Sequence, residues 1–383
     1  MNGKRIILAV TNDLVTDQRV HRSCMALHEA GCDVTLVGRL LPDSAPVSRP
    51  YRTRRMRLLF RRKAVFYAEF NVRLFLRLLF SRADAFYAND TDTVLAVYWA
   101  ARLRHKPFFF DAHEMFPEVP ELVGRPRVKS FWTKIEDYVF PRISSHPHGA
   151  AACTVCQSIA DIYHQRYGLD MAVVRNVPLR RQVDPSPRVG EKYVLMYQGA
   201  VNVGRGVEWI VEAMPFLDDC EFVVAGNGDI YDSVRALVRE RGLEDRVHLL
   251  GRLPLDQLCQ WTSRADLGMS LLENRGLNYY YSLPNRIADF VQCGVPVLAT
   301  DFPEIRRVVE GYGIGTLVPD GLTSPESLAA VIRQALAHWT GVNPDERRRR
   351  FALAADELSW ENDKNVLLRQ VGTIFSHNCR SKK

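Results

Sequence analysis

The residues with the best claim to chemistry form one run, Ser282-Leu283-Pro284-Asn285-Arg286-Ile287-Ala288-Asp289-Phe290, followed by Cys293-Gly294-Val295-Pro296-Val297-Leu298-Ala299. Pro284 suits a helix start, because the first helical position needs no N–H. The helix carries one carboxylate, Asp289, and ends at Gly294 before an apolar strand. A polar side chain and a helix N-terminus would then face one edge of a parallel sheet, where α/β folds hold anionic ligands. The plainer reading of the same run is an ordinary helix–strand unit with a capping glycine.

Two more loops point to that edge. Gly199 ends a strand, and Ala200-Val201-Asn202-Val203-Gly204-Arg205-Gly206 leads into a helix. Glycine lets a backbone approach a ligand closely, and the Arg205 fork suits phosphate oxygens. Gly226-Asn227-Gly228 ends the next strand. Neither loop is a G-x-G-x-x-G or a P-loop. Together the three loops would suit a nucleotide diphosphate, with Arg205 and helix dipoles on phosphate and Asp289 on ribose hydroxyls. In the first half, the stretch from Thr11 to Arg22 lacks the glycines of a dinucleotide fold, which counts against a dehydrogenase. Its polar residues, Asn12, Asp13, Asp17 and Arg19 among them, suit a hydroxyl-rich ligand instead. A further strand ends in Asp111-Ala112-His113-Glu114, placing His113 beside carboxylates at the carboxyl end of a parallel strand.

Elements must alternate to position these groups. Strands are expected at 6–10, 33–37, 83–88, 107–111 and 150–155, with helices at 17–30, 62–81, 91–104, 127–142 and 157–167. The pattern lapses in the proline-rich stretch 178–187, which reads as a linker. It restarts with strands at 193–199, 221–226, 246–251, 265–272, 295–299 and 313–318 and helices at 206–217, 230–241, 255–262, 284–293 and 303–310. Helical residues 323–339, 344–357 and 360–376 follow. Such alternation means an α/β chain with two doubly wound parallel sheets.

The 383 residues exceed what one core usually supports. No stretch of eighteen uncharged apolar residues exists, which argues against a membrane-spanning helix, and MNGKRIILAV reads as a first strand rather than a signal peptide. Eight scattered cysteines suggest a reducing, cytoplasmic setting. Cys153-Thr154-Val155-Cys156 has the spacing of a redox or zinc motif, but it has no second pair, so buried structural thiols are expected. The net charge of +7 is local: residues 51–82 hold ten Lys/Arg against Glu69 alone, a segment of +9 that leaves −2 elsewhere. This argues for one basic patch and against nucleic-acid binding.

At these residues the chain resembles the GT-B glycosyltransferases of family 4 over nearly its whole length. The resemblance rests on the loop at 16–20, DAHEMFPEVPE at 111–121, Arg175-Asn176-Val177-Pro178, YQGAVNVGRG at 197–206, AGNGD at 225–229 and SLPNRIADFVQCGVPVLATDFPE at 282–304. It implies two Rossmann-like domains facing a central cleft: 1–180 for the acceptor, 188–357 for the donor, and residues 358–383 packing back on the first. It also implies transfer from a nucleotide-sugar with retention of configuration, no cofactor and no obligatory metal. By the same resemblance Asp289 binds ribose, and Arg205, Gly199, Asn285 and Arg286 surround the diphosphate, with Gly226 and Asn227 beside it. His113 then lies near the transferred sugar, and Asn12, Asp13, Asp17, Arg19 and Glu114 meet the acceptor. Three departures stand out: Asp289 is shorter than the usual Glu, the first acid of the E-x7-E motif falls on Tyr281 with Glu273 eight residues too early, and Ala200 replaces the usual basic residue. A nucleotide-sugar epimerase of this fold and an inactive nucleotide-binding partner protein are the alternatives.

In the basic segment, Arg62, Glu69, Arg73 and Arg77 share one helical stripe and the rest of 62–82 is largely apolar. A helix buried against its sheet and a basic surface on anionic lipid both fit. The second would suit a lipid-linked acceptor and a peripheral place on the cytoplasmic face of a membrane.

Overall fold

The computed structural model describes residues 1–15, 17–119, 122, 124–181, 190–318 and 324–376. Two compact units share the chain, residues 1–176 with Asp363 onward, and Val177–Asn362. Most of the stretch read as a linker, 182–187, lies outside the described residues, as do Thr16 of the first loop and Pro120 and Glu121 of the 111–121 motif.

The first unit holds a parallel sheet of β1 (Arg5–Ala9), β2 (Asp33–Leu40), β3 (Arg52–Arg57), β4 (Ala85–Asn89), β5 (Phe108–Ala112), β6 (Ala150–Thr154) and β7 (Ala172–Val173). Their order is β3-β2-β1-β4-β5-β6-β7. Strands covered on both faces must be apolar on both, and β4 and β5 are buried at every position. The order reverses between β1 and β4, and a crevice for ligands opens beyond the carboxyl ends of strands at such a reversal. The helices are α1 (Gln18–Glu29), α2 (Lys63–Leu79), α3 (Thr91–Leu103), α4 (Pro126–Val139) and α5 (Gln157–Tyr167). Strand β3 was not anticipated, because Arg-Thr-Arg-Arg-Met-Arg has no apolar alternation. It forms as an edge strand in register with β2 from Thr35↔Arg52 to Leu40↔Arg57, and only Met56 is buried.

The second unit repeats the design with β8 (Tyr193–Gln198), β9 (Cys220–Ala225), β10 (Val247–Gly251), β11 (Leu267–Ser270), β12 (Val297–Thr300) and β13 (Gly315–Val318), in the order β10-β9-β8-β11-β12-β13. Here the reversal falls between β8 and β11. The helices are α6 (Val207–Ala213), α7 (Tyr231–Glu240), α8 (Leu255–Thr262), α9 (Leu277–Tyr280), α10 (Asn285–Gln292), α11 (Pro303–Tyr312), α12 (Pro325–Gly341) and α13 (Pro344–Glu357); the last helix, α14 (Trp360–Ser376), belongs from Asp363 onward to the first unit. Gly268 on β11 sets the depth of α10: a Cβ there would lie 2.5 Å from the Phe290 ring. The absent side chain lets that ring sit on the strand and carries Arg286 and Asp289 to the sheet's edge. Pro284 is the N-cap, one position earlier than expected, and Asn285 opens the helix. Among the described residues no helix is long and apolar enough to cross a membrane.

Candidate active site

In the second unit, the loops after β8 and β9 are packed backbone to backbone. Gly199 has φ +121 and its N–H donates to the Ala225 carbonyl at 3.0 Å. A Cβ on Gly226 would lie 1.8 Å from the Gly199 oxygen, so no side chain fits there. Val201 N–H donates to the Asn227 carbonyl at 3.1 Å, and the Asn227 side chain stays at the surface, its Oδ1 accepting Gly228 N–H at 2.7 Å. Gly206, at φ +74, faces the Leu271 carbonyl with 2.3 Å to a would-be Cβ.

Two guanidinium groups meet over this floor. Arg286 is only 7% exposed, and its Cζ lies 4.1 Å over the Tyr197 ring. One terminal nitrogen is 3.6 Å from where a Cβ on Gly199 would sit. Arg205 lies over the Tyr279 ring at 4.7 Å. The Nη1 of Arg286 and the Nε of Arg205 are buried with no hydrogen-bond partner among the described residues. Burial depresses the Arg286 pKa, Tyr197 opposes this, and Arg205 depresses it further. Two cations with unmet donors, near a helix N-terminus and glycine-lined backbone, are electrostatically complementary to a polyanion.

Asp289 follows Arg286 by one turn and is within electrostatic reach of Arg286, Cys259 and Cys293. Asn285 is exposed at the helix start. Glu273, eight residues too early by sequence, lies beside the loop 199–206: its N–H donates to the Gly204 carbonyl at 3.0 Å. Between Glu273 and α10 the chain passes Gly276, at φ +129, and α9. Glu273 is paired with Arg275 at 2.9 Å. Sequence reading missed Tyr197 and Tyr279 as stacking partners, because the aromatic residues gave no local signal.

In the first unit, His113 follows β5 and sits between two carboxylates. Its backbone N–H donates to Asp90 Oδ1 at 2.7 Å, its Nδ1 is 3.1 Å from Asp90 Oδ2, and its Nε2 is 3.4 Å from Asp111 Oδ2. Burial pushes the imidazole pKa down, but Asp90 and then Asp111 more than reverse this and lift it to about 10. Both ring nitrogens thus face carboxylates, which favours the charged imidazole. Asp90 holds φ 60 and ψ 166, a region strained for any residue but glycine, and its carboxylate does not cap α3. Asp111 accepts from Arg19 Nη2 at 2.6 Å, from the Tyr87 hydroxyl at 2.9 Å and from Cys153 Sγ at 3.2 Å. Burial would raise its pKa, but Arg19 and then His113 hold it far below the carboxylate range.

This corrects one expectation. Arg19, read as an acceptor contact, is 5% exposed and is locked between Asp111 and the Val174 carbonyl at 2.8 Å, because a buried carboxylate needs a counter-ion. Asn12, Asp13 and Asp17 build their own loop. Asn12 accepts from Leu14 N–H at 3.2 Å and donates to Asp17 at 2.5 Å. Asp13 accepts from Val15 N–H at 3.0 Å, and Asp17 caps α1 through Val20 N–H at 2.9 Å. Glu114, next to His113, is half-buried. Cys153 and Cys156 are buried and not disulfide-bonded, with burial raising the Cys153 pKa.

Comparison with known proteins bears on both units. The model described as Glycosyltransferase Family 4 matches residues 17–178, and the one described as Glycosyl transferases group 1 matches 192–338. An alpha-D-kanosaminyltransferase of Streptomyces kanamyceticus is 29% identical over 147 residues, 37% of this chain and 36% of that protein. The curated relatives are thus matched over less than half their length. Among solved structures, the sucrose-phosphate synthase of Thermosynechococcus elongatus superposes with a TM-score of 0.76 at 18% identity, over 97% of this chain and 99% of that one. Anabaena HepE, solved with UDP-glucose, gives 0.72 at 13% identity over 96% and 99%. With two parallel Rossmann-like sheets and family models matching each half, the chain has the GT-B fold and resembles the glycosyltransferases of family 4.

Proposed function

We propose that this glycosyltransferase moves a sugar from a nucleotide-sugar to a hydroxyl of a glycan or lipid-linked acceptor, with retention of anomeric configuration. The observation that carries this reading is the pair Arg205 and Arg286, each stacked on a tyrosine and each with a buried unpartnered N–H. A nucleoside diphosphate supplies the missing charge and acceptors; HepE, of the same fold, was solved with UDP-glucose. The second unit takes the donor. Arg205, Arg286 and the backbone around Gly199 and Gly226 hold the diphosphate, Asn285 lies at the helix start beside it, and Asp289 takes ribose hydroxyls.

As the bond from the anomeric carbon to the leaving phosphate oxygen breaks, negative charge grows on the diphosphate. The two guanidinium groups stabilise it without reorganising, which is electrostatic preorganisation. The acceptor oxygen bonds to the anomeric carbon on the same face, and its proton passes to the leaving phosphate. These fixed charges take the part a metal ion plays in other transferases, so no obligatory metal or cofactor is invoked. In the first unit His113, favoured in its charged form by Asp90 and Asp111, polarises and orients the transferred sugar. The loop at Asn12, Asp13 and Asp17, with Glu114, shapes the acceptor side. Contact with an anionic lipid surface through residues 51–82 fits a lipid-linked acceptor.

The test is a thermal-shift screen of nucleoside diphosphates and nucleotide-sugars, followed by NMR of the linkage formed from the best donor. Selective stabilisation by one base and a product with the donor's anomeric configuration are expected. An inverted product, or epimerised donor without transfer, would refute the reading.

A further inference from the structure

Three imidazoles gather at the amino ends of β5 and β6, the end of these strands away from His113. Two connections bring them there. Helix α3 closes with the Lys106 N–H on the Ala101 carbonyl at 2.9 Å and the His105 N–H on the Arg102 carbonyl at 3.4 Å. That pattern calls for a left-handed residue at position 105, where glycine is the usual choice. His105 takes the position at φ +54, a conformation that a Cβ makes costly. The following strand is tied to the second connection: the Phe108 N–H donates to the Gly149 carbonyl at 3.2 Å, and Phe108 is in register with Ala150. The β5–β6 ladder therefore sets His105 and His148 side by side.

The two rings meet. His105 Nδ1 lies 3.0 Å from His148 Nε2, with the rings edge to face and their centroids 4.8 Å apart. His105 is exposed and His148 half-buried, so the pair is open to solvent. His146 is 7% exposed, and its Nδ1 accepts the His148 N–H at 3.4 Å, which steadies the backbone that carries the second ring. The Phe108 ring backs His146 edge-on at 5.0 Å. Among the described residues no group of three or more His, Cys, Asp or Glu could hold a metal ion. The pair thus offers two protein ligands and leaves the rest of a coordination shell to water.

We propose that His105 and His148 form a surface site for a divalent transition-metal ion, copper(II) or nickel(II) in preference to zinc(II). The spacing carries the preference. Two nitrogens bound at about 2.0–2.1 Å are about 2.9 Å apart when they meet the ion at a right angle, and about 3.3 Å apart at the tetrahedral angle. The 3.0 Å separation matches the right angle of tetragonal copper(II) and nickel(II), not the tetrahedron of zinc(II). Imidazole suits all three ions, and copper(II) heads the affinity order. Ligation takes a lone pair from each ring in place of the N–H that one now gives the other, and the exposed His105 side chain turns to make that change. Arg102 stands within electrostatic reach of His146 and His148 and opposes a cation, so ligation and not the local field holds the ion. The bound ion ties the α3–β5 connection to the β5–β6 connection and braces the first unit a strand's length from His113. The inference goes beyond sugar transfer and does not depend on it.

The experiment is calorimetric titration of the full chain, without an affinity tag, with copper(II), nickel(II) and zinc(II) chlorides, together with electron paramagnetic resonance of the copper(II) form. A tight site for one ion per chain is expected, with copper(II) strongest and zinc(II) weakest, and an axial copper spectrum split by two nitrogens. His105→Gly and His148→Gln should each weaken copper(II) binding at least about tenfold. Glycine suits the left-handed position, so the metal-free melting midpoint of His105→Gly should not fall, and lost binding is then not lost folding. Arg102→Gln should tighten binding by removing the opposing charge. Nucleotide-induced thermal shifts should be the same in every variant, which separates a failure here from a failure of the donor reading. Absence of binding, zinc(II) held as tightly as copper(II), a spectrum without the two nitrogens, weaker binding in Arg102→Gln, or affinity that survives His105→Gly with His148→Gln would overturn the proposal.

Discussion

Replacing Arg286 by Met separates a ligand-binding cation from a structural one, because the two roles predict opposite signs. The Met stem keeps most of the apolar contact with Tyr197 but removes the charge. Without ligand, the change eliminates a buried N–H that has no partner, worth about 1–3 kcal/mol, and relieves repulsion with Arg205. Against this stands the lost cation–π contact with Tyr197, about 0.5–2 kcal/mol. The net is stabilisation of the second unit by about 1 kcal/mol, a rise in its melting midpoint of roughly 2–4 °C. With a nucleoside diphosphate bound, the same substitution loses charge-assisted hydrogen bonds worth about 1.5–3 kcal/mol, so affinity should fall about 10- to 150-fold. Calorimetric melting of the free protein and titration with the diphosphate read the two terms separately. A lower midpoint together with unchanged affinity would refute the reasoning and make Arg286 a packing residue.

Other consequences follow from the same geometry. His113 has a folded-state pKa raised to about 10, so the stability it contributes to the first unit is fully present below about pH 6.5 and is lost as pH rises through about 10. Urea titrations across that range should show the loss, and Asp90→Asn should move it to lower pH; a flat profile would contradict the two-carboxylate clamp. Arg19→Met leaves Asp111 buried without its main counter-ion and should cost about 3–5 kcal/mol, largely recovered by adding Asp111→Asn; equal losses in the single and double variants would count against the ion pair. Gly268→Ala would press on the Phe290 ring, costing about 1–3 kcal/mol in denaturant melts, and would weaken nucleotide binding by shifting α10.

The strands and crossover helices were legible because strands buried on both faces need continuous apolar runs, as in PFFFD and EFVVAG, and glycine or proline marked most ends. Strand β3 was not legible: edge pairing with β2 makes it, and four arginines hide it. In the site, the glycines and Arg205 could be read from position after strands. Arg19 could not, since a polar residue in a ligand-facing loop looks the same whether it meets substrate or a carboxylate 92 positions away. The backbone contact of Glu273 N–H with the Gly204 carbonyl could not be read from spacing along the chain. The outward apolar residues of α2, Val65, Val72 and Leu76, were hidden because a helical stripe does not say which of two apolar faces meets the sheet.

The account rests on a diphosphate gripped by Arg205 and Arg286, and isothermal titration of the full chain with a nucleoside diphosphate and the matching monophosphate tests it most directly. The account predicts that the diphosphate binds more tightly than the monophosphate and that Arg205→Met with Arg286→Met abolishes that preference. Equal affinity for the two nucleotides, or a preference that survives in the double variant, would contradict it.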